Sequence, residues 1–227
     1  LNSTKEILEK LKSKSRKDQL KGMARYGINI NKRLGVSIPN IRKIAKEFGQ
    51  NHEIALDLWE TGYADARITA AIIDEPEKVT ENQMDEWVKT IDSWDVCDQV
   101  CMNLFDKTPY SWKKIIDWSK SNEEFVKRTA FSLLACLAWH DKNADDSKFL
   151  KYFPLIKKNA IDERNYVKKA ISWSIRHIGK RNLNLHKAAL NLANELKKIE
   201  NKTAQWIGSD VIRDLNSDST KRKLKIQ

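Results

Sequence analysis

The sequence predicts an all-α protein: HEAT-like helical-hairpin repeats stacked into a curved solenoid with a basic concave face. Three observations carry that prediction. The 227 residues include 7 glycines and 4 prolines, too few for the many tight turns of an all-β chain. Apolar residues recur with the helical period along the whole length. A recurrent segment, polar at its start and rich in Ala or Val thereafter, returns at repeat-like intervals.

In chain order, TKEILEKLKSK sets Ile7, Leu8 and Leu11 on one helical face, with Thr4 as N-cap. GVSIPNIRKIAKEFG is a turn followed by a helix. Ser37 or Pro39 opens it, Ile41, Ile44, Ala45 and Phe48 form its buried stripe, and Gly49 lies past its end. NHEIALDLWETG is a further helix, stopped by Gly62. The recurrent segments are YADARITAAII, SWDVCDQVCMNLF, EEFVKRTAFSLLACLAW, ERNYVKKAISWSIRHIG and KTAQWIGSDVIRDL. Ile68, Asp98, Arg128, Lys169 and Gln205 take equivalent places in them, at successive intervals of 30, 30, 41 and 36 residues. Partner helices lie between: ENQMDEWVKTID, YSWKKIIDWSK, DSKFLKYFPLIKKNA and LHKAALNLANELKKI. The second helix of each hairpin is expected on the concave wall. Asp98 and Arg128 would be neighbours there, joined by Trp173, one turn after Lys169. Residues 1–215 thus form a single repeat domain, and NSDSTKRKLKIQ, residues 216–227, a basic polar tail.

The net charge of +11 favours a polyanionic partner, nucleic acid before anionic membrane. Dibasic pairs recur at Lys127-Arg128, Lys157-Lys158, Lys168-Lys169, Lys180-Arg181 and Lys197-Lys198, and two of these start presumed second helices. No apolar run reaches the roughly 18 residues of a membrane span, and LNSTKEILEKLKSKSRKDQL lacks the apolar core of a signal peptide. Cys97, Cys101 and Cys136 are odd in number and without CxxC spacing, which speaks against a disulfide framework and for a reducing, cytoplasmic compartment.

Walker, GxGxxG, HExxH and GxSxG motifs are absent, and His52, His140, His177 and His186 are scattered without ligand spacing. Neither a metal nor a cofactor is expected, and carboxylates become the candidate carriers of chemistry. Asp92 or Ser93 suits an N-cap, and Asp95 the first turn, where both complement the helix dipole. Asp98 lies too far along for that. It sits at the margin of the Cys97, Cys101 and Leu104 stripe, one turn after Trp94. Two readings stand for it: a structural ion pair with Arg128, or a carboxylate held at a basic groove. Trp94 and Trp173 are core residues on one view and stacking surfaces on the other.

WDVCD, with Trp94 and Asp98 at i and i+4, resembles the WDxxD segment of the AlkD-type DNA alkylation repair glycosylases. FVKRTAFSLL is similar to that family's arginine-bearing segment, at Arg128, and VKKAISWSIRHIGK to its segment with a groove-lining tryptophan, at Trp173. LGVSIPNIRKIAKEF and LWETGYADARITAAII are similar to its N-terminal pattern, so the resemblance spans roughly Leu20 to Leu215. Tyr26 lies near, but displaced from, the family's N-terminal aromatic contact.

The resemblance implies excision of cationic N3- and N7-alkylated purines from double-stranded DNA. Asp98 would then stabilise the oxocarbenium-like sugar and orient water, with Trp94 and Trp173 against the deoxyribose. Arg128 would hold a backbone phosphate, with Lys127, Lys168, Lys169 and Arg176 as further DNA contacts. It also implies that no deep base-binding pocket is needed, and that a monomer suffices. Two other readings remain at this point: a non-catalytic repeat protein binding branched or distorted DNA, and a protein–protein scaffold.

Overall fold

A computed structural model describes residues 2–226 and is helical, with no strand among them. The helices are α1 (Asn2–Ser13), α2 (Leu20–Arg25), α3 (Ile38–Phe48), α4 (His52–Glu60), α5 (Ala64–Ile73), α6 (Glu81–Lys89) and α7 (Trp94–Asn103). They continue as α8 (Ser111–Trp118), α9 (Glu124–His140), α10 (Asp146–Leu150), α11 (Phe153–Asn159), α12 (Asn165–Gly179), α13 (Leu183–Lys198), α14 (Lys202–Leu215) and α15 (Asp218–Leu224). Short 3-10 turns occupy Lys17–Gln19 and Phe105–Lys107. The chain divides into two compact units, Leu1–Ser111 and Trp112–Gln227.

In the first unit, α4 and α5 form a hairpin, and α5 packs against both α3 and α7. Asn51 and Thr80 cap α4 and α6, accepting the backbone N–H groups of Ile54 at 2.9 Å and Gln83 at 3.1 Å. Such caps satisfy amides that the first helical turn leaves without partners. Thr4 is not a cap: α1 already runs from Asn2, and the Thr4 hydroxyl donates to Asp57 on α4 at 3.2 Å. Pro39 falls in the first turn of α3 behind the extended Ser37, and Gly49 ends that helix at φ 69°. Trp59 and Trp87 stack at 3.9 Å and are core residues.

In the second unit the same arrangement recurs. The second helices α9, α12 and α14 lie side by side, with α13 against α12 and α14. One flank of α9 cannot be told from the other, because Ala130 through Ala138 are all buried. A helix apolar all round must be covered all round. Gly208 lets α14 approach α13 closely: a Cβ there would lie 2.5 Å from the Ala193 carbonyl oxygen.

Two departures from the sequence reading stand out. DSKFLKYFPLIKKNA is not one helix but α10 and α11, with Pro154 in the first turn of α11, where it needs no amide partner. The segment read as a polar tail carries α15. Ser217 caps it by accepting the Thr220 amide at 3.3 Å, and Thr220 is buried with its hydroxyl on the Asp214 carbonyl at 2.9 Å. Cys97, Cys101 and Cys136 are buried thiols. No helix among the described residues is long and apolar enough to cross a membrane.

Candidate functional site

Trp94 and Asp98 belong to the first unit and share one face of α7, a turn apart, both half-buried. What positions them is the N-terminus of α7 and the loop 26–36 beneath it. Ser93 is the extended N-cap; its hydroxyl donates to Asp95 at 2.6 Å and accepts the Asn29 amide at 3.2 Å. Arg33 makes a bidentate pair with Asp95, Nη1 to Oδ2 at 2.7 Å and Nη2 to Oδ1 at 2.9 Å. Its Nε donates to the Asn29 carbonyl at 2.8 Å. The Trp94 indole N–H donates to the Tyr26 carbonyl oxygen at 3.0 Å. The indole is therefore anchored at its polar edge.

The loop itself is tied to α5. Both carboxylate oxygens of Asp65, 1% exposed, accept backbone amides, Leu34 at 2.7 Å and Val36 at 2.8 Å. Gly35 between them sits at φ +76°, and a Cβ there would lie 2.6 Å from the Arg16 carbonyl oxygen. Only glycine meets both conditions. Sequence reasoning missed Arg33, Asp65 and the Tyr26 carbonyl. Asp95 had a sufficient local explanation in a helix first turn, Asp65 drew no reading, and nothing local in NKRLGV marks Asp95, 62 positions away, as a partner of Arg33.

The remaining candidates belong to the second unit. Arg128 on α9 is 5% exposed, and its Nη1 donates to the Tyr166 carbonyl on α12 at 2.8 Å. Lys127 turns to Asp162 at 3.2 Å, its side chain 15% exposed. Asp162 also takes Arg164, which with Lys127 holds its carboxyl down to about 2. On α12, Lys168 lies over the Trp206 ring at 5.2 Å, Lys169 is exposed, and Arg176 faces Asp210 at 3.7 Å and Asp214 at 3.5 Å. Lys127 and Arg176 are thus engaged by carboxylates of their own unit, whereas Lys169 projects into solvent.

Trp173, half-buried on α12, meets the His177 ring edge-on at 5.6 Å, and His177 meets Trp139 at 5.9 Å. Burial, and then the charges of Lys180, Arg176 and Lys223, push the His177 imidazole down to about 4. It is neutral at pH 7, an uncharged spacer between two tryptophans. Among the described residues no three His, Cys, Asp or Glu side chains gather as a metal site.

A cleft of about 850 Å³ opens in the first unit beside Trp94, lined by residues of 13–40. The sequence carried no sign of it, because its walls come from a turn, the short α2 and a loop rather than from periodic helices.

The profile of the family described as "DNA alkylation repair enzyme" matches residues 7–206. A solved structure described as a new family of proteins related to the HEAT-like repeat DNA glycosylases, with affinity for branched DNA structures, aligns at TM-score 0.75. Its sequence is 20% identical, over 92% of this chain and 94% of that one. That likeness shows the HEAT-like repeat fold. A designed armadillo repeat protein in complex with the peptide (KR)4 aligns at TM-score 0.36 and 16% identity, over 82% of this chain and 79% of that one. No curated protein matches the chain.

Proposed function

The chain belongs to the DNA alkylation repair enzyme family, and from that premise we propose that it is a DNA glycosylase hydrolysing the N-glycosidic bond of cationic N3- and N7-alkylated purines. The observation that carries this reading is the Trp94–Asp98 pair: a carboxylate one turn from an indole that is anchored on the Tyr26 carbonyl.

The chemistry asks little of the protein. Alkylation leaves the purine positively charged, so the C1′–N bond breaks with its electron pair going to the ring nitrogen and neutralising it. No proton need be supplied to the leaving group. Positive charge develops on the sugar, as in glycoside hydrolysis. Asp98 is the group to stabilise that charge and to take the proton of the water whose oxygen attacks C1′. Trp94 presents an electron-rich face to the cationic sugar, and Trp173, on α12 of the second unit, is a further candidate for that role. Arg128 supplies a fixed positive charge for a phosphate, and the exposed Lys169 a further one.

The test is release of free methylated purine from alkylated duplex DNA by the wild type and by Asp98→Asn. Release by the wild type and a loss of roughly 10²-fold or more in the variant is the expected result, the usual scale for removing one electrostatic stabiliser. Unchanged release in Asp98→Asn would remove Asp98 from the mechanism. A wild type that binds DNA but releases no base favours a second reading, binding of branched or distorted DNA without catalysis. That reading is supported by the description of the structural neighbour.

A further inference from the structure

We propose that the cleft beside Trp94 is a binding site for an unpaired nucleotide of a DNA strand, its base inserted between apolar walls and its phosphate at a basic rim. The inference rests on DNA being the partner, but not on catalysis. The cleft holds about 850 Å³, within the roughly 300–1,000 Å³ usual for small-molecule sites. Met23, Tyr26, Ile28 and Trp94 give it aromatic and apolar surface, and Asn40 a side-chain amide able both to donate and to accept. Lys14 and Arg16 stand at its edge, both exposed. Arg16 is oriented by Asp18, through Nε at 2.9 Å and Nη2 at 2.7 Å.

The chemistry selects the occupant. A purely apolar ligand would leave the Asn40 amide and the Lys14 ammonium unused. A free anion would leave the aromatic wall unused. A nucleotide joins a flat heterocycle with hydrogen-bonding edges to an anion, and so matches both parts. It must be unpaired, because a base inside a duplex has its faces covered by its neighbours and only an extruded one can enter a cavity. Tyr26 ties the cleft to the proposed active site. The residue, 78% exposed, lines the cavity, and its carbonyl anchors the Trp94 indole. An unpaired nucleotide held there would lie beside the sugar-facing tryptophan.

Gly22 makes the proposal testable. It lies in the cleft wall on α2, and a Cβ built on it meets nothing within 4 Å. A leucine grown there meets no neighbouring atom at its Cβ and stands in the wall of the cleft. The experiment measures affinity, at one salt concentration, for a fully paired duplex and for the same duplex carrying one extra, unpaired 2-aminopurine.

The wild type is expected to prefer the bulged duplex by about tenfold, in keeping with roughly 1–3 kcal/mol for stacking one base on an aromatic side chain, and to quench the 2-aminopurine emission. Gly22→Leu and Tyr26→Ala should each abolish the preference, and Gly22→Ala, which adds one methyl to open space, should keep it. Thermal melting establishes that each variant is folded; Tyr26→Ala decides the matter if Gly22→Leu is not, since the Tyr26 side chain is exposed. Equal affinity of the wild type for the two duplexes, or a preference that survives in a folded Gly22→Leu or in Tyr26→Ala, would overturn the site. Base release by the wild type is read separately. Preference without release counts against the glycosylase reading alone, and release without preference against the cleft alone.

Discussion

At the scale of single residues, His177 shows how surroundings override a side chain's ordinary chemistry. Its ring lies between Trp139 and Trp173, and burial together with Lys180, Arg176 and Lys223 lowers it from 6.5 to about 4. Between those values the unfolded chain binds a proton that the folded chain refuses. Stability from this residue is therefore complete above pH 6.5 and is lost as pH falls toward 4. The expected outcome is a melting temperature that declines across that window in the wild type and declines less in His177→Gln, measured by thermal melts at matched ionic strength. The His177 ring resonances should hold their neutral shift down to near pH 4; a midpoint close to 6.5 would show that neither burial nor the charges of Lys180, Arg176 and Lys223 act on it as described. A sequence reader sees only HIG at the end of a helix, because the two tryptophans and Lys223 reach this ring from 38 residues upstream to 46 downstream.

At the scale of elements, α7 separates what was legible from what was not. Cys97, Cys101 and Leu104 repeat at the helical period and are buried, as the sequence predicts, with Val96 and Val100 buried beside them, and Ser93 is the N-cap. The same periodicity made every second helix of the repeat readable. The segment 26–36 has no period, and its function is to clamp α7 through Arg33, whose side chain is 3% exposed, and Asp95 at 16%. Taking away one partner of such a pair leaves the other charge buried and uncompensated. Asp95→Ala is therefore expected to destabilise the protein by about 3–5 kcal/mol, the range for breaking a buried pair, read from the denaturant midpoint at constant m. A loss under about 1 kcal/mol would place the pair among solvent-screened surface bridges. The variant should also weaken base release more than its loss of stability explains, because Trp94 directly precedes Asp95 and is set by the same clamp.

At the scale of the whole molecule, the charge of +11 was the plainest feature of the sequence, yet charge count and charge availability differ. Of the lysines and arginines singled out for DNA, Lys127 is held by Asp162 and Arg176 faces Asp210 and Asp214, while Lys169 is exposed. The acidic partners of the first two arrive from elsewhere in the repeat, so no local charge run could reveal them. The consequence can be measured as the slope of log affinity against log salt for duplex DNA, which reports the number of phosphates neutralised, at about 0.9 per contact. Lys169→Ala is expected to reduce that slope by about one contact while leaving the melting temperature near that of the wild type. Lys127→Ala is expected to do the reverse: to lower the melting temperature, since Asp162 loses one of its two cations, and to leave the slope nearly unchanged. Equal slopes for Lys169→Ala and the wild type would remove α12 from the DNA-facing surface. A slope reduced by Lys127→Ala would mean that DNA draws this lysine away from Asp162. Affinity that does not fall with salt for any of these proteins would exclude a phosphate backbone as the partner of this chain's positive charge.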